Sequence, residues 1–224
     1  MDIMNTFETN RAEIITKIER AAKRHGHDPA RIELIAVSKQ QPPEKITEAL
    51  ESGHRIFGEN RVQESYMRWK DFKPLYPDIK LHLIGPLQTN KVKDAVALFD
   101  CIHTLDREKL ARALSDEIKK TGRSVPCFIQ VNTGGESQKS GVAPENTEAL
   151  LNLARNDCGL NIMGLMCIPP VDEPPALHFA LLKKMADQFG LNNLSMGMSA
   201  DYERAVALGA THIRIGTGLF GERL

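Results

Sequence analysis

The sequence predicts an α/β protein of the (β/α)8 TIM barrel class, and three observations predict it. Eight short apolar runs recur along 224 residues, helical patterns separate them one by one, and no linker or low-complexity tract interrupts the series. Runs this apolar are buried on both faces, as parallel strands covered by helices must be. Eight repeats of strand then helix favour a closed barrel over an open doubly wound sheet, the alternative that six to eight strands leave open. Residues 1–224 therefore read as a single domain.

An amphipathic helix over about residues 4–24 opens the chain, with Phe7, Ile14, Ile18 and Ala21 at helical spacing. The first run, IELIAVS (32–38), is followed by PEKITEALESG; the second, RIFGE (55–59), by NRVQESYMRWKDF; the third, LHLIG (81–85), by TNKVKDAVALF. CIHTL (101–105) precedes REKLARALSDEIKKTG, VPCFIQVN (125–132) precedes PENTEALLNLARND, and NIMGLMCI (161–168) precedes PPALHFALLKKMADQFG. NNLSMG (192–197), SADYERAVALGA and HIRIGTG (212–218) complete the series. The intervening segments read as seven helices with polar entries and, in several cases, closing glycines. The Pro-rich IPPVDEPP (168–175) reads as a long βα loop. Only LFGERL follows the eighth run, too little for an eighth outer helix, so the N-terminal helix is expected to complete the outer ring.

Lys plus Arg and Asp plus Glu both number 29, a formal net charge of zero. Nucleic acid and anionic membrane are thereby disfavoured as partners, since either favours a basic excess, and small molecules are the expected ligands. Cys101, Cys127, Cys158 and Cys167 show no CxxC spacing and sit in apolar or mixed segments, as reduced core thiols do, so a cytoplasmic home is expected. No apolar stretch reaches the roughly 20 residues of a membrane span. The N-terminal segment has no apolar signal core, and Glu8, Glu13 and Glu19 argue against a transit peptide. No obvious dimerisation element stands out, and a monomer is expected.

In such barrels the site gathers at the carboxyl ends of the strands. Those positions are Lys39, Asn60, His82 with Gly85, His103 with Thr104, Asn132, Met166, Met196 with Ser199, and Arg214 with Gly216 and Thr217. Lys39 admits two readings: a methylene stem covering a strand end with its ammonium in water, or a desolvated amine kept for imine chemistry. Asn60 and Asn132 fit helix capping or chain turning as well as ligand contact. His82 alternates with Leu81 and Leu83 and suits the barrel interior. Metal is not expected, because no paired His or carboxylate spacing typical of zinc appears.

The end of the chain carries the strongest local signal. GMSADYERA (197–205) reads as a helix starting at Ser199, with Asp201 and Glu203 in its first turn. Tyr202 stands where a capping box would place Glu or Gln. RIGTGLFG (214–221) sets Gly216 and Gly218 around Thr217, which lets backbone N–H groups approach an anion. A glycine turn is commonly just a turn. Phosphate sites in these barrels nevertheless recur after strands seven and eight, where both features fall.

The ordered segments AVSK, FGENRVQES, LHLIGPLQTNKVK, QVN, SGV, GLMCIPP and LSMGMSADYERAVALGATHIRIGTGLFGER resemble those of the pyridoxal phosphate homeostasis proteins, whose fold is similar to the barrel domain of alanine racemase. The likeness runs from about residue 30 to the end. It implies that Lys39 forms an imine with pyridoxal 5′-phosphate, that Ser199, Gly216 and Thr217 hold the phosphate, and that Arg214 faces the pyridine nitrogen. It also implies that Asn60, His82 and Met196 line the cofactor pocket. The loop NTGGESQKSGV (132–142) departs from the family's more acidic one.

The resemblance implies a cofactor carrier in vitamin B6 homeostasis, buffering pyridoxal phosphate or delivering it to apo-enzymes, without efficient catalysis. An always-charged Arg214 at the ring nitrogen would weaken the electron sink that carbanion chemistry needs. Two other readings compete: a pyridoxal phosphate-dependent amino-acid racemase or decarboxylase, and a cofactor-free imine-forming aldolase acting on a phosphorylated sugar. Racemisation needs a second base, and the three tyrosines, Tyr66, Tyr76 and Tyr202, fall in helical or loop segments, with Tyr202, near the start of the phosphate-site helix, the only one that the sequence does not place away from the mouth.

Overall fold

The computed structural model describes residues 6–221. Residues 4–5 of the expected first helix and the last three residues of the chain lie outside them. Eight parallel strands close into a barrel in sequence order: β1 Glu33–Val37, β2 Ile56–Glu59, β3 Lys80–Leu83, β4 Cys101–Leu105, β5 Cys127–Gln130, β6 Ile162–Met166, β7 Asn193–Ser195 and β8 His212–Ile215. Closure is carried by β1 and β8, which pair from Glu33 with His212 to Ala36 with Ile215. The described helices are α1 Thr6–Arg24, α2 Pro43–Glu51, α3 Val62–Trp69, α4 Val92–Leu98, α5 Glu108–Thr121, α6 Thr147–Asn152, α7 Pro175–Gln188, α8 Tyr202–Ala207 and α9 Thr217–Phe220.

Alternation along each strand sorts the two faces. Leu34 and Ala36, Leu81 and Leu83, Leu194 and Met196, Ile213 and Ile215 join the core between sheet and helices. The alternate residues enter the lumen, and there the expected apolar filling gives way to polar groups. A small cluster of Cys101, Phe128 and Met166 shares the lumen with buried His82, His103, Ser195 and Arg214. The ring of His103 stacks on Phe128 with centroids 4.4 Å apart. Buried polar groups are tolerated when they bond to one another, and in low dielectric such bonds are strong.

The N-terminal helix does complete the outer ring. α1 buries Phe7, Ile14, Ile18 and Ala22, the last by its four-residue step from Ile18, whereas Ala21 is only half-buried. Phe7 meets Phe220 of α9 with ring centroids 5.0 Å apart, and Asn10 Nδ2 donates to the Leu219 carbonyl at 3.0 Å. α9 is thereby pinned beneath α1, which holds the segment after β8 in place.

Candidate functional site

Lys39 stands two residues beyond β1, half-buried, in a tight turn where the Gln41 N–H donates to the Ser38 carbonyl at 3.1 Å. Gln40 adopts φ 61° in that turn, the one non-glycine residue in the left-handed region among those described. A side chain there carries strain that its surroundings must hold. Ser38 supplies the hold: its hydroxyl donates to Glu59 Oε1 at 2.7 Å, and its N–H donates to Gly58 at 3.1 Å. Glu59, 1% exposed, also accepts from Arg68 Nη1 at 2.9 and 3.0 Å and from Trp69 Nε1 at 3.1 Å. Burial raises the Glu59 pKa, and Arg68, Ser38 and Trp69 pull it back. Glu59 thus anchors the lysine turn from behind the sheet.

Gly216 joins this turn to the far end of the sequence. A Cβ at Gly216 would lie 3.5 Å from both the Cβ and the carbonyl oxygen of Val37, so the β8 exit packs on β1 two residues before Lys39. Next to it the loop after β7 meets the loop after β8: the Gly218 N–H donates to Ser199 Oγ at 3.4 Å. Ser199 and Thr217 are both exposed. Ser199 and Gly218 border a cavity of about 220 Å³ that Asn10 and Lys17 of α1 close from outside.

The helix expected at Ser199 starts later. Asp201 is the residue before the first turn of α8, and its Oδ1 accepts from the Met198 N–H at 2.6 Å rather than from the helix. Residues 199–201 are therefore a turn. With six residues in α8 and four in α9, the aligned peptide dipole is small, and anion affinity here rests on hydroxyls and single N–H groups.

Asn60 follows β2 and is half-buried. Its backbone touches that of Gly85: a Cβ on Gly85 would fall 2.3 Å from the Asn60 carbonyl oxygen, an approach only glycine allows. Thr104 Oγ1 donates to the Gly85 carbonyl at 2.9 Å and fixes that contact. Asn132 serves its own loop, donating to the Glu136 carbonyl at 2.9 Å and accepting from the Glu136 N–H at 3.3 Å.

Arg214 enters the lumen from β8 and is 3% exposed. Its Nη1 donates to Ser195 Oγ at 2.5 Å and its Nη2 to the Cys167 carbonyl at 3.0 Å. Burial lowers its pKa from the ordinary guanidinium value, and a guanidinium keeps its charge in proteins.

Two expected pocket residues lie elsewhere. His82 sits at the amino-terminal end of the lumen, its Nε2 3.6 Å from Glu33 Oε1, and it lines a cavity with Pro77, Lys80 and Pro126, residues at or before strand starts. Met196 is fully buried on the helix-facing side with Leu194, so it offers no surface to a ligand at the mouth. Conversely, Glu59 and Ser195 were not singled out from sequence. A carboxylate ending a strand nine residues before an Arg-Trp pair, and a serine within an apolar run, were the available signals.

A closed parallel barrel with a lysine beyond its first strand, a hydroxyl-and-glycine loop pair beyond its last two, and a buried arginine in the lumen defines a (β/α)8 barrel with a lysine-centred mouth. The chain belongs to the pyridoxal phosphate homeostasis protein family, and it matches the alanine racemase N-terminal domain over residues 10–224. The pyridoxal phosphate homeostasis protein of Vibrio cholerae is 40% identical over 230 residues, covering 98% of both chains. That of Aquifex aeolicus is 40% identical over 219 residues, covering 94% of this chain and 95% of its own. Among solved structures, PipY of Synechococcus elongatus with pyridoxal phosphate bound superposes with a TM-score of 0.78 at 38% identity, covering 92% of this chain and 100% of that one.

Proposed function

We propose that this chain binds pyridoxal 5′-phosphate at the barrel mouth, holds it as a lysine imine through Lys39, and serves intracellular vitamin B6 homeostasis by buffering the cofactor or delivering it to apo-enzymes. The observation that carries this reading is the packing of Gly216 on Val37, which sets the Ser199–Gly218 loop pair beside the end of β1, two residues before Lys39. One end of the mouth offers an amine and the neighbouring end offers donors for an anion. Pyridoxal phosphate, when bound, supplies an aldehyde open to reversible capture by an amine and an electron-withdrawing ring.

The residues fit that group. Ser199, Gly216 and Thr217 would hold the phosphate, and the Ser199 to Gly218 bond, long at 3.4 Å, is one that anionic oxygens replace at little cost. Arg214 would face the pyridine nitrogen and keep it unprotonated, because a guanidinium does not give up its proton. Asn60 stands at the adjoining strand end. Lys39, on a turn anchored through Ser38 and Glu59, presents its amine from a fixed backbone.

The same residues support a carrier rather than a catalyst. Tyr66 is 59% exposed on α3, and Tyr76 lies beneath Arg55, whose guanidinium carbon is 5.0 Å from its ring. Tyr202 is buried and its pKa is raised by that burial; it borders the cavity that Ser199 and Gly218 share, on the phosphate side of the mouth in this reading. A second base opposite Lys39 is not expected from Tyr66 or Tyr76. The free, buried thiols of Cys101, Cys127, Cys158 and Cys167 support a cytoplasmic setting, and no described helix is long and apolar enough to cross a membrane. We place the protein there as a monomer, which sedimentation equilibrium would verify.

Incubating the cofactor-loaded protein with L-alanine and other amino acids in deuterium oxide tests the reading. No more than trace Cα deuterium is expected. Exchange at the ordinary enzymatic rate of about 1–1000 per second would make the protein an enzyme.

A further inference from the structure

The amino-terminal end of the lumen carries chemistry that the mouth does not use. His82 of β3 and Cys101 and His103 of β4 place one ligand atom each within 4.8 Å of one another, and all three are buried. His82 Nδ1 faces His103 Nε2 at 3.0 Å. The outer nitrogens both turn to oxygen: His82 Nε2 lies 3.6 Å from Glu33 Oε1, and His103 Nδ1 lies 2.8 Å from Ser195 Oγ.

Imidazoles whose inner nitrogens converge beside a thiol, while their outer nitrogens are held by oxygens, have the layout of metal ligands with their orienting partners. Glu33 adds a separate observation. Its Oε1 is buried without a hydrogen-bond partner, and it faces the outer nitrogen of His82 at 3.6 Å, where an oxygen orients an imidazole that ligates through its other nitrogen. An entry path exists as well: a cavity of about 460 Å³ is lined by Glu33, Lys80, His82, Cys101, Met163 and His212.

We propose that His82, Cys101 and His103 form a binding site for a thiophilic transition-metal ion, Zn²⁺, at the end of the lumen opposite the mouth. Zinc bonds of about 2.0–2.1 Å to nitrogen and about 2.3 Å to sulfur separate tetrahedral ligand atoms by roughly 3.3–3.6 Å. The two inner nitrogens move apart by a few tenths of an ångström to accept it, and Cys101 Sγ, within 4.8 Å of them, closes in by up to about 1.2 Å. On binding, the Cys101 S–H bond breaks, the thiolate bonds to the ion, and the proton leaves to solvent through the cavity. Three protein ligands leave a fourth position for water. The thioether of Met163, 4.0 Å from Cys101 Sγ, borders the site on its soft side.

Co²⁺ serves as the spectroscopic probe on chelator-stripped, otherwise unaltered protein, with Zn²⁺ as competitor. One Co²⁺ per chain is expected, with tetrahedral d–d bands in the visible and a thiolate charge-transfer band, both erased by one equivalent of Zn²⁺. Cys101→Ser should remove the charge-transfer band and weaken binding at least tenfold, whereas Cys158→Ser should change neither. A readout that needs no variant is thermal unfolding, whose midpoint one equivalent of Zn²⁺ should raise. Substoichiometric Co²⁺ uptake, a charge-transfer band that survives Cys101→Ser, or a midpoint that Zn²⁺ leaves unchanged would each overturn the proposal. None of these readouts depends on the mouth binding pyridoxal phosphate.

Discussion

The guanidinium of Arg214 and the hydroxyl of Ser195 meet at 2.5 Å inside the barrel, across neighbouring strands β8 and β7. Arginine only donates, so the serine oxygen accepts, and its own proton is left to His103 Nδ1 at 2.8 Å. That assigns the remaining ring proton of metal-free His103 to Nε2, facing His82 Nδ1 at 3.0 Å. The arginine is thus held by a directed chain of hydrogen bonds that runs the depth of the lumen.

Ser195→Ala removes the shared atom and leaves a buried guanidinium N–H and a buried imidazole nitrogen unsatisfied. Each such group costs about 1–3 kcal/mol. Urea unfolding of the cofactor-free protein should show a loss in that range or above it, and an unchanged midpoint would mean that water or another oxygen replaces the hydroxyl.

Acid should destabilise the protein well above the carboxylate range. Burial lowers the pKa of His54 and His82 from 6.5 to about 4 and that of His212 to about 3. The unfolded chain takes up protons below pH 6.5 while the folded one does not, so the contribution of these histidines is present above that pH and lost as it falls toward 4. Glu33 and Glu59, both raised by burial from 4.5, act in the opposite sense, since their contribution is lost as pH rises through their folded values. They oppose the histidines wherever the two ranges overlap. Unfolding midpoints should fall from pH 7 to pH 5, and a flat profile would contradict neutral buried imidazoles.

Ser199→Ala combined with Thr217→Val should weaken retention of pyridoxal phosphate while leaving the fold intact, because both side chains are exposed. Each lost charge-assisted hydrogen bond is worth roughly 1.5–3 kcal/mol. Equilibrium dialysis against pyridoxal phosphate measures it, and unchanged affinity would move the phosphate to other residues.

The repeat of strand and helix was legible because each unit carries its own period, and the order of the barrel follows from the order of the units. Depth and parity along a strand were less legible. The run LHLIG suggested a strand ending at Gly85, but β3 spans Lys80–Leu83, so His82 lies within it and meets Glu33 and His212 from below. Met196 failed by parity: Ser195 turns into the lumen toward Arg214, so its neighbour must face the helices. The run VPCFIQVN was read too long for a related reason, since Asn132 leaves the ladder to fold its own loop. Lys39, Ser199, Arg214, Gly216 and Thr217 could be singled out together because the first, seventh and eighth strands are neighbours in any closed barrel. Glu59 was missed because its partners, Arg68 and Trp69, become neighbours only once α3 packs on the sheet.

Lys39 is proposed as the residue through which this barrel holds pyridoxal phosphate. Reduction of the pyridoxal phosphate-loaded protein with borohydride, followed by peptide mass spectrometry, tests it most directly. A stoichiometric pyridoxyl-phosphate adduct on Lys39 is predicted. Lys39→Ala should carry none while still folding and unfolding cooperatively as the parent does. An adduct located on another lysine, or one that forms undiminished in Lys39→Ala, would contradict the account.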